Sequence, residues 1–278
     1  MEVVLPSAEV TVLLLTPHPT VPCLYSGVVE RHPTSSLVAV AGCRGQEEQV
    51  TVTIAAPTLP TGLATLVMEG GATREVEGEG RRARREAGDC EEGDCDDWDY
   101  EQDWGVQFDL PEDPFPLDLD EELVMPKAAT YKVALKYDNQ LLAKFGGDHQ
   151  AARRWVTRVI TQTEPRLLNL KVPISLQVLG EPQHLEETID MPTPTDALRT
   201  LQHLERSHFK EDDFTTHIFF TNTRGKKIHG ATFSGIGCQQ LTRRLGSASI
   251  SSHYSTKDDL LNSAATTAHE IGHTLGMR

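Results

Sequence analysis

His269-Glu270-Ile271-Gly272-His273-Thr274-Leu275-Gly276 stands near the end of the 278-residue sequence, and its reading governs that of everything before it. Ala264, Ala265, Ala268 and Ile271 give the stretch a helical pattern, so a helix is expected over residues 257–275. Residues four apart on a helix lie on one face, one turn above the other. His269 and His273 can therefore each aim an imidazole nitrogen at a single ion. Zinc takes neutral imidazole at about 2.0–2.1 Å, and catalytic zinc sites keep one position open for water. Glu270 follows the first of the pair, where its carboxylate can act as general base on a water activated by the ion. Gly276 is expected to release the chain from the helix through a left-handed cap, so that a third ligand approaches from another direction. The string agrees with the longer pattern H-E-x-x-H-x-x-G-x-x-H through eight of its eleven positions. The third histidine of that pattern would be residue 279, one beyond Arg278. Two histidines alone under-coordinate zinc, so residues 1–278 by themselves are expected to bind it weakly and to be poorly active. The plainer alternative is a pair of surface histidines on an ordinary helix.

Working outward, residues 127–278 alternate strands with helices. Strands are expected over 131–137, 171–179, 216–221, 230–236 and 248–252. Helices are expected over 148–164, with Ala151, Ala152, Trp155, Val156, Val159 and Ile160 on one face, and over 195–208, with Leu198, Leu201 and Leu204. The glycine-containing strand 230–236 suits an edge. This alternation predicts an α/β sandwich with a mostly parallel, twisted sheet.

Residues 1–72 read differently. Short β-branched runs separated by Pro, Gly and His-Pro turns predict a small all-β domain without a catalytic constellation. Residues 73–126 read as a charged linker. It opens glycine-rich, passes through Arg81-Arg82-Ala83-Arg84-Arg85, and continues into 86–122, which holds seventeen Asp and Glu and no Lys or Arg. Such a segment buries too little apolar surface to offset its ordering entropy. Trp98, Tyr100, Trp104 and Phe108 interrupt it and are read as docking on a folded neighbour. The formal net charge of −15 is thus local, since removing the seventeen acids leaves +2. Nothing in that balance points to nucleic acid. No run of about 18 apolar residues suggests a membrane span, and no basic-flanked apolar leader precedes residue 16.

Thr267-Ala268-His269-Glu270-Ile271-Gly272-His273-Thr274-Leu275-Gly276-Met277 resembles the active-site helix of the adamalysin (reprolysin, or ADAM-like) branch of the metzincin zinc metalloproteases. Three weaker similarities extend over the chain. Cys23-Leu24-Tyr25-Ser26-Gly27, with Ser35-Ser36 and Ala41-Gly42-Cys43, is similar to that family's propeptide. Residues 131–138 resemble its first catalytic strand, and Gly230-Ala231-Thr232-Phe233 through Gly237-Cys238 resembles the edge strand lining its substrate cleft.

The resemblance implies a metzincin-like catalytic domain over 127–278 behind a propeptide over 1–72. The protein would be a secreted or cell-surface zinc metalloendopeptidase made as a zymogen, acting on proteins or peptides. His269 and His273 would be zinc ligands and Glu270 the catalytic base. Gly230, Ala231, Thr232 and Phe233 would line the substrate, which would dock by strand addition. The family's methionine turn would lie downstream, and Met277 is not it. Arg82, Arg84 and Arg85 fit a proprotein-convertase site in a setting that suits proteolysis, against the plainer reading of a solvated basic linker. Cleavage there would start the mature chain at Glu86.

Five cysteines leave one unpaired within the sequence. By the resemblance, Cys23 pairs with Cys43 and Cys238 pairs beyond Arg278. Cys90 or Cys95 could hold the open zinc position as a thiolate switch, yet both lie after the expected cut, so either the switch is absent, or the two pair with each other, or activation cuts elsewhere. Asp138 lies where relatives often bind calcium. His203, His208 and His217 read as surface or core packing. Two competing readings stay open. One is a catalytically impaired, protease-like binding module. The other is a zinc protease of another branch with a downstream Glu as third ligand, which would have no need of Gly276.

Overall fold

The computed structural model describes residues 2–4, 10–42, 49–57, 59, 62–69, 72–76, 106–108, 129–168, 170, 173–208, 215–222, 230–233, 247–252 and 259–277. The chain forms two compact units, Met1–Asp99 with Leu168–Lys171, and Tyr100–Leu167 with Val172–Arg278.

The first unit is an antiparallel meander of seven strands in sequence order. They are β1 (Glu2–Val4), β2 (Val10–Pro17), β3 (Leu24–Val29), β4 (Leu37–Ala41), β5 (Gln49–Ala55), β6 (Leu63–Glu69) and β7 (Ala72–Val76). The strand period of two sends Val50, Val52 and Ile54 to one face, where Val38 lies opposite Ile54 and Val40 opposite Val52. With Leu13, Val29 and Leu66 these residues form one core. The last strand runs to Val76, past the expected boundary at residue 72.

The second unit carries the site. Its sheet has the order β10-β9-β12-β14-β13-β8. These strands are β8 (Val106–Phe108), β9 (Ala129–Tyr137), β10 (Ile174–Val178), β12 (Thr216–Thr221), β13 (Gly230–Phe233) and β14 (Ser247–Ser252), and the short β11 (Gln183–His184) also pairs with β9. Strands β9, β10, β12 and β14 are mutually parallel; β13 is antiparallel to β14, and β8 is parallel to β13. All six residues of β12 are buried, as a strand covered on both faces requires.

The described residues hold four helices: α1 (Asn139–Lys144), α2 (His149–Leu168), α3 (Pro194–His208) and α4 (Asp259–Thr274). Helix α2 buries Ala152, Trp155, Val156, Val159 and Ile160, with Trp155 edge-on to Phe220 at 6.3 Å between ring centroids. It runs four residues past its expected end, through Pro165. In the last turn this costs one hydrogen bond, and Leu167 is buried in return. Helix α4 lies on the same face, since the Thr163 hydroxyl of α2 donates to the Ala264 carbonyl at 3.3 Å. Helix α3 covers the other face, where Ala197, Leu201 and Leu204 pack with Phe219, Ala231 and Phe233. The result is a mixed α/β unit of helix, sheet and helix layers.

Two expectations are revised. The strand at Gly230–Phe233 is not an edge, because β8 pairs along its open side. Asp138 ends β9 fully buried, and both its oxygens are taken up by donors. The Leu141 N–H donates to Oδ1 at 2.9 Å, while the Ile189 N–H and the Thr221 hydroxyl donate to Oδ2 at 2.9 and 2.7 Å. It caps α1 and ties β9 to β12 and to the segment before α3. A calcium ion would compete with those N–H and O–H groups for the same lone pairs, so the geometry gives calcium no support.

Candidate metal centre

Helix α4 positions both histidines. The His269 and His273 rings stand edge-on at 4.3 Å between centroids, with their Nε2 atoms 2.9 Å apart. Two nitrogens that close point at one place. Tetrahedral zinc at about 2.0–2.1 Å from each would hold them about 3.3 Å apart, so the rings need part by only a few tenths of an ångström. Both rings are half-buried. Burial first, and repulsion from His273 second, lower the His269 pKa to about 4, which keeps that ring in its neutral, metal-binding form.

The second ring nitrogen of His273 is also fixed. Nδ1–H donates to the Met277 carbonyl at 3.0 Å, which makes Nε2 the acceptor nitrogen, facing His269 Nε2. That carbonyl is placed by the turn after α4. Gly276 lies at φ 81°, its N–H donates to the His273 carbonyl at 2.8 Å, and the Met277 N–H donates to the Gly272 carbonyl at 2.9 Å. This is a Schellman cap. Gly276→Ala is expected to cost about 1–2 kcal/mol for a left-handed non-glycine residue. By loosening the His273 ring it should also weaken zinc binding by about tenfold or more. Gly276→Asn, which tolerates that conformation, should lose less. Zinc titration against a competing chromophoric chelator reads both, and equal affinity in all three proteins would discard the link.

Glu270 is fully buried, and neither carboxylate oxygen has a hydrogen-bond partner among the described residues. Burial without a donor pushes its pKa well above the ordinary 4.5. Such a group is costly unless a cation or a reacting proton uses it. Its side chain lies against the backbone of Gly230, where a Cβ would fall 2.6 Å from its Cγ and Cδ. Strand β13 thus presents alternate residues to the two layers. Gly230 and Thr232 face α4, while Ala231 and Phe233 enter the α3 core. The Thr274 hydroxyl donates to the Glu270 carbonyl at 2.8 Å, so the Thr232 hydroxyl donates to Thr274 Oγ1, 3.0 Å away.

Of the four residues expected to line substrate, Ala231 and Phe233 spend their side chains on the core, and Thr232 spends its hydroxyl on α4. The sequence reading did not contain the Thr232–Thr274 bridge or the Met277 carbonyl. A threonine four residues after Glu270 is a local signal for the first, and Gly276, read as a left-handed cap, for the second. His203 lies exposed with Nε2 3.0 Å from Glu187 Oε2, and His217 is buried. Arg82, Arg84, Arg85, Cys43, Cys90, Cys95 and Cys238 lie outside the described residues, as does the side chain of His208.

The donor set fits zinc as far as it goes, with two imidazole nitrogens converging on one helix and, next in sequence to the first, a buried carboxyl without a hydrogen-bond partner among the described residues. Among the described residues no group of three or more His, Cys, Asp or Glu side chains converges as a metal site. Nor, among them, is any helix long and apolar enough to cross a membrane.

A family model described as Reprolysin_5, metallo-peptidase family M12, matches residues 127–278. No curated protein matches the chain. Solved structures similar to it include metalloproteinase-II from Bacteroides fragilis, at 15% identity and a TM-score of 0.41, covering 96% of this chain and 77% of that one. A chaperone–substrate complex is similar at 14% identity and a TM-score of 0.37, covering 55% of this chain. The chain spans only 24% of that structure's length.

Proposed function

The chain belongs to metallo-peptidase family M12, and from that premise we propose that it is a zinc-dependent endopeptidase of the adamalysin branch, made as a zymogen and acting on extracellular proteins. One observation carries this reading: on a single helix the Nε2 atoms of His269 and His273 lie 2.9 Å apart, and the residue after His269 is Glu270, whose buried carboxyl has no hydrogen-bond partner among the described residues. Zinc, when bound, supplies Lewis acidity that makes water an effective nucleophile near neutral pH. The protein's own residues do the rest. His269 and His273 hold the ion through neutral imidazoles. Glu270 takes the proton from the attacking water and returns it to the leaving amine. The Thr232–Thr274–Glu270 chain of hydrogen bonds fixes that turn of α4 against β13. Exclusion of water around Glu270 strengthens its interaction with whatever charge develops beside it.

The first unit is assigned as the propeptide. Its β-meander precedes the basic site at Arg82, Arg84 and Arg85, where a proprotein convertase would cut. Cys23 is disulfide-bonded, and the Gly42 N–H donates to its carbonyl at 2.8 Å, which supports Cys43 as its partner. Secretion follows from the zymogen reading.

The test is metal-linked stability of the full-length protein. Zinc at 1,000 times its Kd should stabilise it by about 4 kcal/mol, and a chelator should remove both that increment and peptide hydrolysis. His269→Ala and His273→Ala should each abolish the zinc-dependent shift in Tm. An unchanged shift in the double variant would place the metal elsewhere and overturn the reading.

A further inference from the structure

Strand addition at β13 needs a free ladder on that strand. One side of β13 is paired with β14 (Gly230 opposite Ser251, Thr232 opposite Ser249), and the other is paired with β8. On that second side Ala231 lies opposite Val106, Thr232 opposite Gln107 and Phe233 opposite Phe108. This ladder begins one residue from Gly230, the glycine against which Glu270 packs. We propose that β8 is a built-in occupant of the substrate-docking ladder, an extended segment of the chain that must leave β13 before substrate hydrolysis can begin. The proposal rests on reading α4 as the catalytic helix.

The sequence shows why this segment, of all those in the acidic run, pairs there. Trp104, Val106 and Phe108 recur at every second position with no proline between them, whereas Phe115, Leu117 and Leu119 share that period but carry Pro114 and Pro116, which disfavour a strand. The pairing is also made to be reversible. It is three residues long, lies at the outer limit of the sheet and runs parallel to β13, where ladder bonds are slanted and less stable per residue. A longer extended peptide can therefore displace it.

Its place in the chain has a regulatory consequence. Residues 106–108 follow Arg85, so cutting at the basic site leaves β8 joined to the catalytic unit. Activation then has two stages, separation of the first unit and release of β8 from β13. The second stage is achieved by competition with substrate or by a further cut between β8 and β9.

Two readouts test this on the full-length protein cut after Arg85. The variant Val106→Pro/Gln107→Pro must lose a bond to β13, because alternate residues of a parallel strand turn their N–H groups to the same neighbour. Gln107→Ala keeps the backbone and serves as control. Amide hydrogen exchange over 230–233 should be about tenfold faster or more in the proline variant and unchanged in the control. For a fluorescence-quenched peptide, KM should fall by about tenfold with kcat unchanged, and a synthetic peptide of residues 103–111 should restore the higher KM competitively. Equal exchange and equal KM in variant and parent would overturn the proposal. If the variant fails to fold, the peptide decides instead: excess 103–111 added to a protein with 104–110 replaced by a Gly-Ser linker must slow exchange in β13, and failure to do so overturns it. If no form hydrolyses peptide, the endopeptidase reading fails, and amide exchange still decides whether β8 covers β13.

Discussion

Glu270→Ala in the full-length protein is expected to lower kcat/KM for peptide hydrolysis by about 10³-fold while leaving zinc content unchanged and making the metal-free protein more stable. The opposite signs come from one side chain. In the proposed role of general base, Glu270 would contribute to the transition state, so its loss should fall on kcat more than on KM. In the metal-free protein the same carboxyl is buried with neither oxygen hydrogen-bonded among the described residues, a burden of about 1–3 kcal/mol. Truncation also removes a buried methylene worth about 0.8 kcal/mol. The polar burden is the larger, so a net gain of about 1 kcal/mol is expected in urea denaturation. Gly230 supplies an independent check. Gly230→Ala should cost about 1–3 kcal/mol alone, because its Cβ would meet the Glu270 side chain. In the Glu270→Ala background most of that cost should vanish, a coupling that a double-mutant cycle measures directly. Full hydrolysis in Glu270→Ala would remove the general-base role. A loss of metal-free stability would show that the carboxyl has a structural partner.

The parts of the fold that were legible in the sequence are those with long local periods. The faces of α2 and α3 follow from Trp155, Val156 and Val159 and from Leu198, Leu201 and Leu204. The buried strand Thr216–Thr221 follows from Ile218, Phe219 and Phe220. The histidine pair is legible because i, i+4 geometry is a property of any helix. What was not legible depends on contacts distant in sequence. Strand β8 has three residues in an acidic run, and only its pairing with β13 gives it a structure. Seen alone, Gly230-Ala231-Thr232-Phe233 suits an edge; with β8 beside it, the same stretch lies inside the sheet. The Met277 carbonyl reaches His273 only because the turn at Gly276 brings it back. Asp138 lies near a strand end, where the family resemblance suggests calcium. Its true partners are at Leu141, Ile189 and Thr221, and no local pattern announces the last two.

That network sets the second large effect. Asp138→Ala leaves the Leu141 and Ile189 N–H groups without their acceptor in a fully buried place, removes the cap of α1, and leaves the Thr221 hydroxyl the Ile189 carbonyl at 3.4 Å. Each orphaned N–H costs about 1–3 kcal/mol, the lost cap being that of the Leu141 N–H, so the variant should lose about 2–6 kcal/mol. Asp138→Asn should not rescue it. An amide nitrogen at either oxygen position would face a donor with a donor. The pH dependence has a definite sign. Burial outweighs the donated hydrogen bonds and raises the Asp138 pKa above its ordinary 3.8. A carboxyl raised in the folded state contributes stability that is fully present below the unfolded value and is lost as pH rises through the folded one. The penalty for Asp138→Ala should therefore be largest near pH 3.8 and shrink toward neutrality. Glu164, also raised by burial, titrates in the same direction, but it is present in both proteins and cancels in the difference. Urea midpoints of parent and variant across that range give the test. A penalty that grows as pH rises would mean that the donors outweigh burial, with Asp138 held as a stabilised anion. A penalty under about 1 kcal/mol at every pH would mean that neighbouring groups or water replace the acceptor, and that β9, β12 and α1 are joined by packing alone.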